Sequence, residues 1–240
     1  MILRSFDINH RGRDFIVGDV HGHYDALMSA LDRQDFDRCR DRLFMLGDLV
    51  DRGPKSLQCL ELLYEPWAFS VMGNHEILMR NALMNPDDKL AEWQWIQRGG
   101  IWFFYEPDRE EARALALDAI SMMPYAVELD LPTGRIGLVH AEPPAEGWAV
   151  LRSQHTNTDL RFRIRLTNHV TWSRGKIWKR DSQPITDIDA VVCGHTIVEK
   201  PMWLGNVLFI ETGVATKRGR LTLLEASTLL CNREKTGASD

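Results

Sequence analysis

Three short apolar runs in the first third of the chain each stop at a glycine followed at once by Asp or Asn. Phe15 to Val17 ends in GDVHG (Gly18 to Gly22), Leu43 to Leu46 in GDLVDRG (Gly47 to Gly53), and Ala68 to Met72 in GNHE (Gly73 to Glu76). The amphipathic stretches between them, Ala26 to Leu31 and Leu57 to Leu63, read as helices, so the pattern is that of β-α-β units on a largely parallel or mixed sheet. In such a sheet the loops after the carboxyl ends of the strands line the crevice where ligands bind. Three loops rich in Asp, His and Asn therefore converge on one place.

From Glu76 to about Ser121 the pattern turns helical in three pieces separated by Pro86 and Pro107, which reads as a helical insertion at about residues 77–122. Short strands return at Ala126 to Leu129, Ile136 to Val139, Ala190 to Val192, Val207 to Ile210 and Leu221 to Leu224, and are expected to form a second sheet packed on the first. A chain of 240 residues suits one large α/β domain, here residues 1–230. Residues 231–240 carry too little apolar surface to offset the cost of ordering them and read as a flexible tail.

The charge balance of 29 basic against 34 acidic residues gives a net charge of -5, so no global positive field recruits nucleic acid or an anionic membrane. No apolar run approaches the roughly 20 residues that span a bilayer, and the first residues lack the apolar stretch of a secretory signal. Cys39, Cys59, Cys193 and Cys231 form no CxxC pair, as expected of structural thiols in a reducing cytoplasm.

Asp19 and His21 stand two apart after a strand; in extended chain their side chains project to the same side and can grip one ion. Asp48 follows 29 residues after Asp19, at the same edge of the next strand, and Asn74 comes 26 residues later. His140 (in GLVHAE) and His195 (in AVVCGHT) directly follow apolar strands. Carboxylate, imidazole and amide without thiolate suit manganese, iron or zinc, and an aspartate between two ligand sets is how a two-metal site is bridged. Singly, a His or Asp after a strand is more often a cap or a hydrogen-bonding residue. Three Gly-Asp or Gly-Asn turns on successive strands do not reduce to that, because the glycines permit tight turns and a backbone approach that side chains block.

The motifs GDVHG, GDLVDRG and GNHE, with VHAE and CGHT downstream, resemble those of the phosphoprotein phosphatase branch of calcineurin-like metallophosphoesterases, and most of all its compact phage and bacterial serine/threonine members. The resemblance runs from about Arg13 to Leu224. It implies an α/β fold, a metallophosphoesterase β-sandwich flanked by helices with a helical insertion. It also implies two divalent metal ions, manganese first, with Asp19 and His21 holding one, Asn74, His140 and His195 the other, and Asp48 bridging them. The activity implied is hydrolysis of phosphomonoesters on a phosphorylated protein or peptide (Ser/Thr, then Tyr) by direct attack of a metal-bridging hydroxide. His75 would be the general acid, oriented by Asp51, while Arg52 and Arg174 (in Trp172-Ser173-Arg174) grip the phosphate. Where many relatives read Arg-Gly-Asn-His-Glu, Met72 stands in place of that arginine.

Rival readings use other features. A symmetrical dinucleoside tetraphosphate hydrolase shares the fold and the metals, but resembles GDLVxRGP with a residue other than Asp where Asp51 stands. A phosphodiesterase lacks the DRG extension, and a non-catalytic scaffold would have lost ligands that are all present. Arg152 to Arg180 carries eight basic residues and one acidic, with Arg161, Arg163 and Arg165 alternating around Phe162 and Ile164; it reads either as a solvated face or as a rim that steers an acidic substrate. Trp93, Trp95, Trp102, Phe103 and Phe104 crowd the helical insertion, where most should pack and a few could stack on a base. His10, His23, His155 and His169 read as surface, turn or packing residues.

Overall fold

The computed structural model describes residues 1–153 and 159–230. His155, Cys231 and the tail expected at 231–240 lie outside those residues. The chain enters through β1 (Leu3–Phe6), a strand the sequence reading did not contain, and then runs through β2 (Asp14–Val17), α1 (Tyr24–Asp32), β3 (Arg42–Met45), α2 (Ser56–Glu61) and β4 (Ala68–Ser70). β2, β3 and β4 pair in parallel, as the β-α-β pattern requires. β2 is buried along its whole length, the mark of a strand covered on both faces.

The helical segment follows as α3 (Asn74–Met84), α4 (Lys89–Ile96), a 3-10 turn (Gly100–Tyr105) and α5 (Arg109–Ser121). α3 starts three residues before the expected boundary, so Asn74 and His75 lie in its first turn. The reason is local: a Glu76 carboxylate oxygen accepts the Gly73 amide at 2.9 Å and closes that turn. Asp88 and Asp108 cap α4 and α5 by accepting from the amides two and three residues onward.

The second half contributes β5 (Ala126–Leu131), β6 (Gly134–Val139), α6 (Ala149–Arg152), α7 (Leu160–Trp172), α8 (Gly175–Lys179), β7 (Ala190–Cys193), β8 (Met202–Leu204), β9 (Val207–Phe209) and β10 (Leu223–Glu225). One sheet has the order β1-β5-β6-β7-β9-β8 and the other β10-β2-β3-β4. The expectation that all the late strands form the second sheet is thus corrected at its end: β10 returns to pair antiparallel with β2. A second correction concerns the basic segment. Leu160–Trp172 is helical, with Leu166 and Val170 buried four residues apart, so Arg161, Arg163 and Arg165 do not form an alternating stripe.

Three cores follow from this layering. Ile16, Phe44, Leu46 and Val71 of one sheet meet Val127, Leu129, Leu138 and Val192 of the other. Phe15, Val17, Leu43 and Met45 face α1 to α5, and Val139, Val191 and Phe209 face Trp148, Leu166 and Val170. Each strand's alternation thus serves two apolar layers at once, which leaves the strand ends as the place for polar chemistry. No helix of the described residues is long and apolar enough to cross a membrane.

Candidate metal centre

The loops after β2, β3, β4, β6 and β7 meet at one edge of the two sheets. The amides of Val20 and His21 both donate to the Asp48 carbonyl, at 3.1 and 2.8 Å, and Gly22 donates to Leu49 at 2.8 Å, which welds the first two loops together. The third loop closes on the second because Gly47 and Gly73 touch: a Cβ on Gly47 would lie 2.7 Å from the Gly73 nitrogen, and one on Gly73 would lie 2.3 Å from Asp48 Oδ1. The same-side argument for Asp19 and His21 is corrected here, since both lie beyond the end of β2 and His21 has a left-handed backbone, φ 45°. Asp48, Asp51, Arg52 and His195 share that conformation, at φ 48°, 74°, 69° and 61°. Strained φ values of this kind concentrate at functional sites.

Two groups of potential ligand atoms share Asp48: His21, Asp48 and His75 in one, Asp48, His140 and His195 in the other. The group on the His21 side takes in His75 where the sequence reading has Asp19. The Asp19 carboxylate accepts the His195 amide, at 3.0 Å to Oδ1, and Oδ1 approaches His140 Nδ1 at 3.9 Å. Asn74 Oδ1 lies 2.9 Å from His140 Nε2, and His195 Nδ1 lies 3.1 Å from the same nitrogen. All six expected ligand residues are thus buried in one cluster.

The donor set fits divalent cations. His21 Nδ1 donates to the Val50 carbonyl at 2.9 Å and His140 Nδ1 to the Leu46 carbonyl at 2.7 Å, which commits each Nδ1 proton and leaves Nε2 as a lone pair. On His140 that lone pair faces the protonated His195 Nδ1 at 3.1 Å, because His195 Nε2 accepts from Arg174, and it is also crowded by Asn74 Oδ1 at 2.9 Å and Asp48 Oδ1 at 3.4 Å. Acceptors that face one another in a buried site are satisfied by a cation. Negative charge is likewise concentrated: burial, with Glu211 and Asp48 nearby, pushes Asp19 well above the usual carboxylate range. Burial also pushes Glu76 and Glu211 up to about 7. Burial alone would raise Asp48 too, but the four surrounding imidazoles hold it below the ordinary range.

The imidazoles sort into two kinds. Burial pushes His21 and His195 down to about 3 and lowers His140, so these stay neutral, the form that ligates metals. Burial pulls on His75 as well, but Asp48 and the hydrogen bond to Asp51 outweigh it and His75 is raised. Its Nδ1 lies 2.6 Å from Asp51 Oδ2. Two guanidiniums close the cluster from opposite sides. Arg52 Nη1 lies 2.6 Å from His21 Nε2 and Nη2 lies 3.0 Å from His75 Nε2, while Arg174 Nε donates to His195 Nε2 at 3.0 Å.

Sequence reasoning missed the residues that hold these loops. Glu76 accepts the amides of Asp48 (2.9 Å), Leu49 (2.7 Å) and Gly73 (2.9 Å). Glu211 accepts those of Asp19 (3.0 Å) and Gly213 (2.6 Å). Glu142 accepts the Ser173 hydroxyl (2.7 Å) and the Lys176 amide (2.7 Å), which fixes the turn that carries Arg174. Trp95 and Trp102, read as packing or stacking residues, both donate to Asp51 Oδ1, at 3.0 and 2.8 Å. Met72 packs in the helix-side core, so no guanidinium enters the site at that position. His23 bonds the His21 carbonyl at 2.7 Å and His169 the Pro143 carbonyl at 3.1 Å, as a turn and a packing residue should. Cys39, Cys59 and Cys193 are free thiols, and burial pushes Cys59 up to about 12.

Comparison with known proteins gives this edge a context. Serine/threonine-protein phosphatase 1 of Salmonella typhimurium is 34% identical over 210 residues, covering 87% of this chain and 89% of that protein. A symmetrical bis(5'-nucleosyl)-tetraphosphatase of Dechloromonas aromatica is 46% identical over 67 residues, which is 27% of this chain and 24% of that one. Among solved structures, a protein provisionally assigned as a diadenosine tetraphosphatase superposes with a TM-score of 0.63 at 20% identity, covering 95% of this chain and 94% of its own, so the fold is shared. Residues 15–199 match the calcineurin-like phosphoesterase family, and the chain belongs to that family.

Proposed function

We propose that this metallophosphoesterase is a phosphoprotein phosphatase that hydrolyses phosphomonoesters on Ser and Thr side chains, with Tyr as a secondary target. The observation that carries the reading is geometric: Asp48 is shared by two groups of buried ligand atoms, one with His21 and His75 and the other with His140 and His195, and His75 Nδ1 lies 2.6 Å from Asp51 Oδ2. Asp19 and His21 on one side and Asn74, His140 and His195 on the other would hold two divalent cations with Asp48 between them. Manganese is the first choice and iron or zinc suits the same oxygen and nitrogen donors. Such cations, when bound, neutralise phosphate oxygens and lower the pKa of water.

The chain's own residues supply the remainder. Arg52 and Arg174 approach from opposite sides and match the planar, bidentate recognition of a phosphoryl group. His75 gives its Nε2 proton to the departing oxygen while Asp51 keeps Nδ1 protonated and the ring fixed. Similarity along nearly the whole of a serine/threonine-protein phosphatase supports the protein substrate. The tetraphosphatase likeness stays within about a quarter of the chain.

The test is phosphate release by metal-free protein reloaded with manganese, offered a Ser/Thr phosphopeptide, a Tyr phosphopeptide and a dinucleoside tetraphosphate. Faster turnover of phosphopeptides, collapsing in His75→Asn, is expected. A preference for the dinucleotide overturns the substrate reading and leaves the metal centre standing.

A further inference from the structure

A buried indole N–H needs an acceptor, and any spare backbone carbonyl would serve. Trp95 in α4 and Trp102 in the following 3-10 turn instead aim their N–H groups at the same atom, Asp51 Oδ1, at 3.0 and 2.8 Å. They come from 44 and 51 residues downstream of it and meet edge to face, with ring centroids 6.2 Å apart and planes at 87°. Asp51 is fully buried, and its other oxygen, Oδ2, is the partner of His75 Nδ1 at 2.6 Å. Each oxygen of this carboxylate therefore has its own task.

The backbone around Asp51 needs outside support. Asp51 and Arg52 are two consecutive left-handed residues, φ 74° and 69°, a conformation that side-chain-bearing residues adopt at a cost. The support comes from Gly99 and Gly100, in the turn between the two tryptophans. The Gly99 carbonyl accepts the Arg52 amide at 3.3 Å. A Cβ on Gly99 would lie 2.8 Å from that amide nitrogen, and one on Gly100 would lie 2.4 Å from Trp95 Nε1. The sequence WIQRGGIW (Trp95 to Trp102) thus combines two donors with the two glycines that let them reach Asp51.

We propose that Trp95 and Trp102 are positioning residues for phosphoester cleavage: their indoles clamp Asp51 Oδ1 so that Oδ2 stays on His75 Nδ1 and His75 Nε2 stays aligned with the departing oxygen. The proposal rests on the reading of His75 as the general acid. No bond is made or broken at the indoles. The proton that moves is the one on His75 Nε2, and the clamp fixes the line along which it moves, since proton transfer falls off steeply with misalignment. The helical segment 74–121 is thereby more than a lid on the core, because it carries both halves of the clamp.

The experiment compares Trp95→Phe, Trp102→Phe and the double variant, all loaded with manganese, on a phosphoserine peptide and on p-nitrophenyl phosphate. Phenylalanine keeps an aromatic ring and removes only the N–H and part of the indole. The alkoxide leaving from phosphoserine needs the proton; the acidic nitrophenolate does not. The expected result is a loss in kcat on the peptide of about tenfold per indole, with KM within about twofold and the nitrophenyl ester within about threefold. Equal losses on both substrates, or none on either, overturn the proposal. His75→Asn alongside separates the two claims, since an equal loss on both substrates in that variant removes the general acid itself. Should the double variant fail to fold, indole ¹H–¹⁵N spectra of the otherwise unmodified chain decide. Asp51→Asn is expected to move two of the eight indole resonances, those that vanish in the single Trp→Phe variants, and a spectrum in which those two stay put sinks the clamp even if His75 survives as the acid.

Discussion

His75 Nδ1 and Asp51 Oδ2 lie 2.6 Å apart with neither side chain more than 1% exposed. That contact ties the GNHE turn to the GDLVDRG turn and, together with the charge of Asp48, raises His75 while burial lowers the other imidazoles of the cluster. Asp51→Asn is therefore expected to lower kcat on a phosphoserine peptide about a hundredfold while KM changes little. Steady-state kinetics check it, and a loss confined to KM would reassign Asp51 to substrate binding.

Glu142 acts on the other side of the site. Its carboxylate holds the Ser173 hydroxyl at 2.7 Å and the Lys176 amide at 2.7 Å, the two anchors flanking Arg174. Glu142→Ala should free that turn and raise KM for phosphopeptide about tenfold, with kcat within about threefold, because a loosely held guanidinium binds phosphate less well. An unchanged KM would show that Arg174 needs no such anchor.

Buried like charge around Asp48 links metal binding to stability. Each manganese ion held at about one hundred times its dissociation constant should stabilise the fold by about 2.7 kcal/mol, a rise in Tm of about 5 to 10 °C per ion for a domain of this size. Asp48→Asn should abolish the rise and lower the bound metal below two ions per chain. Differential scanning fluorimetry with elemental analysis measures both, and an Asp48→Asn variant that keeps the full shift would place the cations elsewhere.

Asp41, far from the site, gives a pH signature. Burial raises it, but the Arg13 amide at 2.7 Å, the Arg13 guanidinium at 2.7 Å and the Asp37 amide at 3.0 Å outweigh burial and hold it below the usual carboxylate range. A depressed folded-state pKa contributes stability that is fully present above the unfolded value of about 3.9 and is lost as pH falls through the folded one. Asp41→Asn should cost about 1 kcal/mol at pH 7, mostly through the backbone amides, since Arg13 is 37% exposed and screened. Urea titrations should show that gap closing below pH 4, and a gap independent of pH would assign the effect to packing.

The parts of the site legible in the sequence were those written in consecutive residues. Gly47-Asp48 and Gly73-Asn74 are short-range statements about a strand, a turn and a polar side chain at the strand's end. They predicted loop convergence because open α/β sheets gather their loops at one edge. The helix from Leu160 to Trp172 is hidden in the sequence because Arg161, Arg163 and Arg165 imitate a period of two. The four-residue spacing of Phe162, Leu166 and Val170 was the helical signal available. The sheet that β10 joins is not legible in the sequence, because Leu223–Glu225 carries no mark of its partner β2, about 200 residues earlier in the chain.

The sequence alone determined which chemical groups are present and on which loops they sit: the carboxylates, imidazoles and amide around Asp48, the His75 and Asp51 pair, and the arginines at 52 and 174. Only the tertiary structure decided how those groups are held. Glu76, Glu142 and Glu211 became receivers of backbone amides, and Trp95 and Trp102 became donors to Asp51, because a buried polar atom takes whatever partner the fold brings within about 3 Å. Such partners are separated by anything from 3 residues, as for Glu76 and Gly73, to 192, as for Asp19 and Glu211, and no local pattern records the longer distances.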